Sequence, residues 1–435
     1  MVRRYIFFYS PHLLKSFRNT LLKYDINIGE RKISWDYIRQ FFEKDQQQKI
    51  RLAPKLTEKH ICVEGFSKMR ANLAAQVMSR TVAAGIYTHS VSGTLPQKAI
   101  HTAEFVEKVD SLFDCFNSSS KTHYKSVLSA VSADSCHIAF ISKIKDYILS
   151  LKVCTPPHVR IHCVDGWLIN LAALEALWLH LQSYQVKYLL TRRLNQDCLE
   201  NLFARLRVRF GNCDHPTAYN FLKGLKSVII NDFSHFSRTS NCEADESYFL
   251  DVTSDDREPD LPPSDTDSET EESVENMPPA EVNALVYVAG WTCKKFLKTH
   301  NCQVCRELLL DVSQQLDSNN KIFCLLKANY SKSDNTFGGL SIPNSSVIEH
   351  FKEVEGLLRP SLEKAMLGKR VSQMLLSKLN NHVFKAPLHL CSTQLTKTIH
   401  LIYIRLKIFY TVKWRNREQS RPKLRKNKKI NKLSK

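Results

Sequence analysis

Long apolar runs are missing from this chain of 435 residues. The best candidate, Leu401 to Val412, is interrupted by Arg405 and Lys407 and falls short of the ~18 to 20 apolar residues that a bilayer-spanning helix needs. The apolar patch from Tyr5 to Tyr9 is too short for the core of a signal peptide and gives way to Pro11 and His12. Both absences argue against secretion and against a membrane partner, and the expectation is a soluble, intracellular protein. There are 13 cysteines, but their irregular spacing is not that of a secreted disulfide framework, so reduced thiols are expected. Glycine is scarce at 12 residues, and neither a phosphate-cradling glycine loop nor an internal repeat is present. Acid is in deficit: 62 Lys and Arg against 43 Asp and Glu give a net charge of +19, which suits a polyanionic partner such as nucleic acid. With 43% hydrophobic residues the chain can still bury a sizeable core, enough for two or three domains.

The acids that exist are concentrated. From Asn241 to Asn276, Glu243, Asp245, Glu246, Asp251, Asp255, Asp256 and the run Asp265 to Glu275 crowd together with Ser and Pro. Such a composition buries too little apolar surface to offset its ordering entropy, which predicts a disordered acidic linker over 241–279. It separates a body of residues 1–240 from a C-terminal part that begins near Ala280. The last stretch, Lys413 to Lys435, is almost free of acid and reads as an exposed, disordered basic tail, a nuclear localisation signal or an arm for phosphates. In the body, Met69, Leu73, Val77 and Met78 predict a helix over Ser67–Val82, and Phe105, Val109, Leu112 and Phe113 one over Thr102–Phe116. Trp167–Leu190, apolar on most sides, reads as a helix inside the core. Strands are few, with Val2–Tyr9 the clearest.

The most informative stretch is Leu194 to Leu222. As a helix it buries Leu199, Leu202, Phe203 and Leu206 and sets Asp197, Glu200 and Arg207 on one flank. Two carboxylates one turn apart beside a base could hold a divalent metal near phosphate. The residues alone favour an ordinary solvated flank.

The string QDCLENLFARLRVRFGNCDHPTAYNF resembles the signature of the P element-type DNA transposases, including the homologues that carry a THAP zinc finger. Five further stretches resemble the same family, in its order: SPHLLKSFRN from Ser10, IRLAPKLTEKH from Ile50, LFDCFNS from Leu112, VYVAGW from Val286 and FYTVKWRN from Phe409. The resemblance implies a mixed α/β, mainly α protein. A partial ribonuclease H-like fold (1–24 and 185–240) is interrupted by a helical guanine nucleotide-binding insertion domain (25–184) and followed by a helical C-terminal domain (280–412) and the basic tail (413–435). It implies GTP and Mg²⁺ as cofactors. DNA, guanine nucleotide, and self or a full-length transposase are the implied partners, with a nuclear location.

Carried over residue by residue, Glu200 matches the family's final acidic metal ligand, with Asp197 beside it, while Tyr9 stands where a second acidic ligand belongs. The finger and the first acidic ligand lie in a part of the family pattern that this sequence is not expected to contain. A phenol with a pKa near ~10 does not replace a carboxylate on Mg²⁺. The resemblance thus implies a truncated derivative without strand transfer; the alternative is a fragment of an active GTP-dependent cut-and-paste enzyme. The nucleotide contacts carry over to Lys55, Asp114 and Asn117; without the resemblance, Asp114 and Asn117 merely end a helix.

Cys302 and Cys305 form a single CxxC, with His300 before it and Cys293 further back. No second pair sits at zinc-finger spacing, so the residues read as buried free thiols, with Cys324 and Cys391 as distant candidate partners. The family's recurrent CxxC keeps zinc among the implied metals.

Overall fold

The computed structural model describes residues 4–156, 161–209, 216–231, 277–300, 302–311, 319–328, 340–366, 368, 370–384 and 391–419. The expected acidic linker over 241–276 and the end of the basic tail, 420–435, lie outside them.

The described residues are mainly helical. In the N-terminal part, α1 (Ser10–Lys23) leads into a hairpin, β1 (Ile26–Ile28) and β2 (Arg31–Ile33), followed by α2 (Trp35–Gln47) and the short α3 (Glu58–Ile61). Next come α4 (Ala71–Val77), α5 (Arg80–Val91), α6 (Ile100–Cys115), β3 (Val131–Ser132), α7 (His137–Ser150) and β4 (Lys152–Val153). The long α8 (His162–Ser183), β5 (Tyr188–Leu189), α9 (Asp197–Arg209) and α10 (Ala218–Asn231) complete it. The C-terminal elements are α11 (Pro279–Thr299), α12 (Gln303–Leu309), α13 (Ile322–Lys327), α14 (Ser345–Ala365), α15 (Val371–Ser377) and α16 (Ser392–Gln419). They form two compact units, and α13 belongs with the N-terminal one, packed on α5.

Local chemistry accounts for the element boundaries. Pro11 opens α1, where a missing N–H costs nothing. Ser34 caps α2 by accepting from the N–H of Asp36. Gly29, at φ +58°, makes the tight turn between β1 and β2, and β4 adds to β1 to give a three-stranded sheet in the order β2-β1-β4. Strands of two or three residues are too short for an alternating pattern to show in the sequence.

In the N-terminal unit α1, α6 and α8 converge on one aromatic core. Phe17 lies 5.9 Å from Phe105 and 6.3 Å from Trp167, and Phe116 lies 5.7 Å from Trp167. Because α1 is part of this core, residues 4–24 and the helical body after them pack as one. Buried Arg18 donates to the carbonyls of Ser67 and Lys68 and holds the turn Gly65–Met69 against α1.

Four expectations need correction. The helix over Ser67–Val82 is broken at Arg70 and again at Ser79, whose hydroxyl caps α5. Arg4–Tyr9 is not a strand: the side-chain amide of Asn170 donates to Phe8 O and accepts from Phe8 N at 2.8 and 2.7 Å, replacing a neighbouring strand. α8 stops at Ser183 and buries one face only, leaving Leu179 60% exposed. Lys413–Gln419, the start of the expected disordered tail, continues α16.

In the C-terminal unit, the VYVAGW stretch lies on α11. A Cβ at Gly290 would stand 1.9 Å from the carbonyl oxygen of Ser341, so only glycine lets the two backbones meet. Glu355 of α14 is fully buried and accepts from Arg359 at 3.1 Å, from Lys407 and from Tyr403. Burial alone would push its carboxyl up; the Lys407 ammonium and Arg359 guanidinium hold it below its ordinary value instead. Among the described residues no helix is long and apolar enough to cross a membrane. Glu355→Ala takes the carboxylate from the largely buried Lys407 ammonium and should destabilise the C-terminal unit by about 3 to 5 kcal/mol, read as a lower urea midpoint.

Candidate nucleotide and acidic sites

α6 ends where Phe116 N donates to Phe113 O and Asn117 N to Asp114 O, at 3.1 and 3.0 Å. Just beyond, two fully buried residues from distant parts of the N-terminal unit meet. Thr191 N donates to Ser118 Oγ at 2.9 Å, Ser118 N to Thr191 Oγ1 at 3.1 Å, and Thr191 Oγ1 to the Cys115 carbonyl at 2.8 Å. Arg192 N donates to Ser118 O at 3.1 Å, and Asn195 Nδ2 to Phe116 O at 2.9 Å. Hydroxyls satisfy buried backbone groups here as a strand ladder would. Because α6 ends in Asp114–Asn117 and α9 begins at Asp197, this staple fixes both groups of candidate residues.

The first group sits at the end of α6. Asp110 and Asp114, one turn apart, share the Lys125 ammonium at 2.9 and 2.6 Å. Burial alone would lower the Lys125 pKa, but the two carboxylates overcome it and raise it. Asn117 is half-buried on the same turn. Lys55 is exposed, on a loop that buried Asp45 builds by accepting from Leu52 N at 2.7 Å, Ala53 N at 3.3 Å and Arg51 Nε at 3.0 Å. Lys125 and Asp110 were not singled out from the sequence. The i,i+4 pair of acids on a predicted helix was the available signal.

The second group lies between the starts of α1 and α9. Tyr9 donates its hydroxyl to Asp197 Oδ1 at 2.7 Å, and Arg192 Nε stands 3.6 Å from Asp197 Oδ2. The His12 ring meets that of Tyr9 edge-on at 4.8 Å. Burial lowers the pKa of both His12 and Lys15, and the Glu200 carboxylate acts on both in the opposite sense. Tyr9, His12 and Lys15 share one face at i,i+3 spacing, a signal that lay unused in the PHLLK motif.

The orientation of α9 reverses the expected one. Of the predicted buried stripe only Leu206 is buried; Leu202 is half-buried, Leu199 is 52% exposed and Phe203 44%. The polar face of α1 draws the acidic flank inward. The base ion-paired with Asp197 is Arg192, and Arg207 is half-buried elsewhere on the helix. A hard divalent cation wants several carboxylate or carbonyl oxygens. Here a guanidinium, an ammonium, an imidazole and a phenol already surround Asp197 and Glu200, so the donor set fits ion pairing and not a pair of Mg²⁺ ions.

Thr191→Val keeps the volume but leaves Ser118 N and Ser118 Oγ short of partners in a buried position. It should destabilise the N-terminal unit by about 2 to 3 kcal/mol, measured by urea denaturation followed by tryptophan fluorescence.

Three family models match the chain in order. They are a TNP-like, GTP-binding insertion domain over residues 11–128, a TNP-like, RNase H C-terminal domain over 193–224, and the C-terminal domain of DNA transposase THAP9 over 272–413. A curated relative, the transposable element P transposase of Drosophila melanogaster, is 29% identical over 229 residues, 52% of this chain and 30% of the relative. The chain therefore spans about a third of that relative's length. A solved structure, the Drosophila P element transposase strand transfer complex, is similar at 26% identity over 52% of each chain, with a TM-score of 0.47. The ordered domain matches and the curated relative agree: this chain belongs to the P element-type transposase family.

Proposed function

We propose that this chain is a P element-like transposase derivative that binds guanine nucleotide through its N-terminal unit, contacts DNA through basic segments in the nucleus, and does not carry out strand transfer. The observation that carries the nucleotide reading is the pair Asp110 and Asp114, one turn apart and both held on Lys125, within the span matched to a GTP-binding insertion domain. Guanine presents two adjacent donors, N1–H and the exocyclic amine, which a carboxylate can accept together. Asn117 can bond O6 or N7, and Lys55 can neutralise phosphate. Asp114, Asn117 and Lys55 are the proposed contacts.

The inactive reading is supported by the second group. Strand transfer needs two metal ions clamping the attacking and leaving oxygens. Tyr9 supplies a phenol in place of a carboxylate, and Asp197 is engaged with Tyr9 and Arg192. Glu200 keeps the family's final acidic position, with Lys15 close enough to feel its charge.

Calorimetry of the full chain with GTP or GDP should show micromolar binding, absent with ATP, abolished by Asp114→Ala and weakened about tenfold by Asn117→Ala. No binding by a chain with a helical circular dichroism spectrum, or binding indifferent to Asp114→Ala, would sink the nucleotide proposal. A labelled duplex incubated with Mg²⁺ tests the rest in one assay. The duplex should stay intact, while the bound fraction falls steeply with salt and drops on removal of residues 420–435. Nicking that disappears in Glu200→Gln would overturn the inactive reading, and a salt-insensitive, sequence-specific complex would overturn the DNA reading.

A further inference from the structure

We propose that His300, Cys302, Cys305 and Cys391 form a structural zinc site in the C-terminal unit. Their ligand atoms all lie within 4.8 Å of one another, with Cys305 buried and the other three half-buried. His300 Nε2 is 3.3 Å from Cys305 Sγ. Zn–S bonds of ~2.3 Å in a tetrahedron set ligands roughly 3.8 Å apart, so closure on an ion needs shifts of under about 1 Å. Three sulfurs and one imidazole make a donor set that zinc takes in structural sites, with no position left open for chemistry.

The helix termini hold the ligands in place. His300 ends α11, its N–H donating to Phe296 O at 3.0 Å, and its ring lies against Phe296. Cys302 precedes α12 and accepts from Arg306 N through its carbonyl at 3.1 Å, while Cys305 sits within α12. Cys391 precedes α16 and accepts from Leu395 N at 2.8 Å. α12 is anchored from a further direction by Asn344, which donates to the carbonyls of Glu307 and Leu308 at 2.8 and 3.0 Å. The fully buried Cys293, equally visible in the sequence, is not part of the cluster.

A single ion would thus tie the end of α11 and the start of α12 to the start of α16, across a long intervening stretch of chain. Zinc binding releases the thiol protons and converts weakly bonding S–H groups into ligands, and its free energy adds to folding. α16 then projects from a fixed origin toward Lys413, Arg415 and Arg417 near its far end.

The test uses the full chain purified under reducing conditions without chelator. Mass spectrometry of the metal content should find about one zinc per chain. Zinc should be lost in Cys302→Ser and Cys391→Ser and kept in Cys293→Ser and Cys324→Ser. Cobalt titrated into the metal-stripped, unsubstituted chain should give thiolate-to-cobalt charge-transfer bands and the strong visible bands of tetrahedral coordination. This second measurement stands even where the serine variants do not fold. Zinc retained in Cys391→Ser, or a chain without zinc whose melting is indifferent to added Zn²⁺ and whose cobalt spectrum is octahedral, overturns the proposal.

Discussion

The exchange of hydrogen bonds between Ser118 and Thr191 is the constraint on which the rest of the N-terminal unit depends. Neither residue reaches solvent, and each uses its hydroxyl and its backbone N–H on the other. One side of the staple is the end of α6, with Asp114 and Asn117. The other side is the short turn that launches α9, with Asp197 and Glu200. Leaving any of these donors or acceptors unpaired away from water would cost a large fraction of a domain's net stability.

Electrostatics then decide how α9 is turned. A helix with acids on one flank and Leu199, Phe203 and Leu206 on another would ordinarily bury the apolar stripe. Here α1 presents a phenol, an imidazole and an ammonium at i,i+3 spacing, with Arg192 next to them, and the acids go to that polar face. The apolar residues Leu199 and Phe203 are left 52% and 44% exposed. A phenol–carboxylate hydrogen bond and an ion pair in a half-buried site outweigh part of the hydrophobic gain that the opposite rotation would bring. The same logic governs Glu355 in the C-terminal unit, where a carboxylate is tolerated at full burial because two cations and a tyrosine complete its shell.

Much of this was legible in the residues themselves. The periodicity of Phe105, Val109 and Leu112 locates α6 nearly to its ends, since a long amphipathic helix carries its own signal. The acids at 197 and 200 and the CxxC at 302 were visible as candidates from spacing alone. Partnership across the chain was not legible: Lys125 with Asp110 and Asp114, Asn170 with Phe8, or Cys391 with the CxxC. These contacts join segments between 11 and 162 residues apart, and no local pattern encodes them. The break at Arg70 leaves no trace because Met69 to Met78 keeps helical spacing across it, and Ser79, a cap in the interior of an apolar pattern, looks like any other serine.

The sequence by itself determined the kind of protein: mainly helical, basic, without a membrane-spanning helix among its described residues, and carrying an ordered set of motifs that place it among the P element-type transposases. Those properties are sums over residue types or local spacings, which survive without knowledge of the fold. Only the tertiary structure decided that Tyr9 bonds to Asp197 and that Arg192 is the base beside it. It also decided that Asp114 shares a lysine with Asp110, and that Cys391, not Cys293, joins His300, Cys302 and Cys305. Each of these depends on which helix face turns inward, and that is settled by burial and charge pairing summed over the whole packed unit.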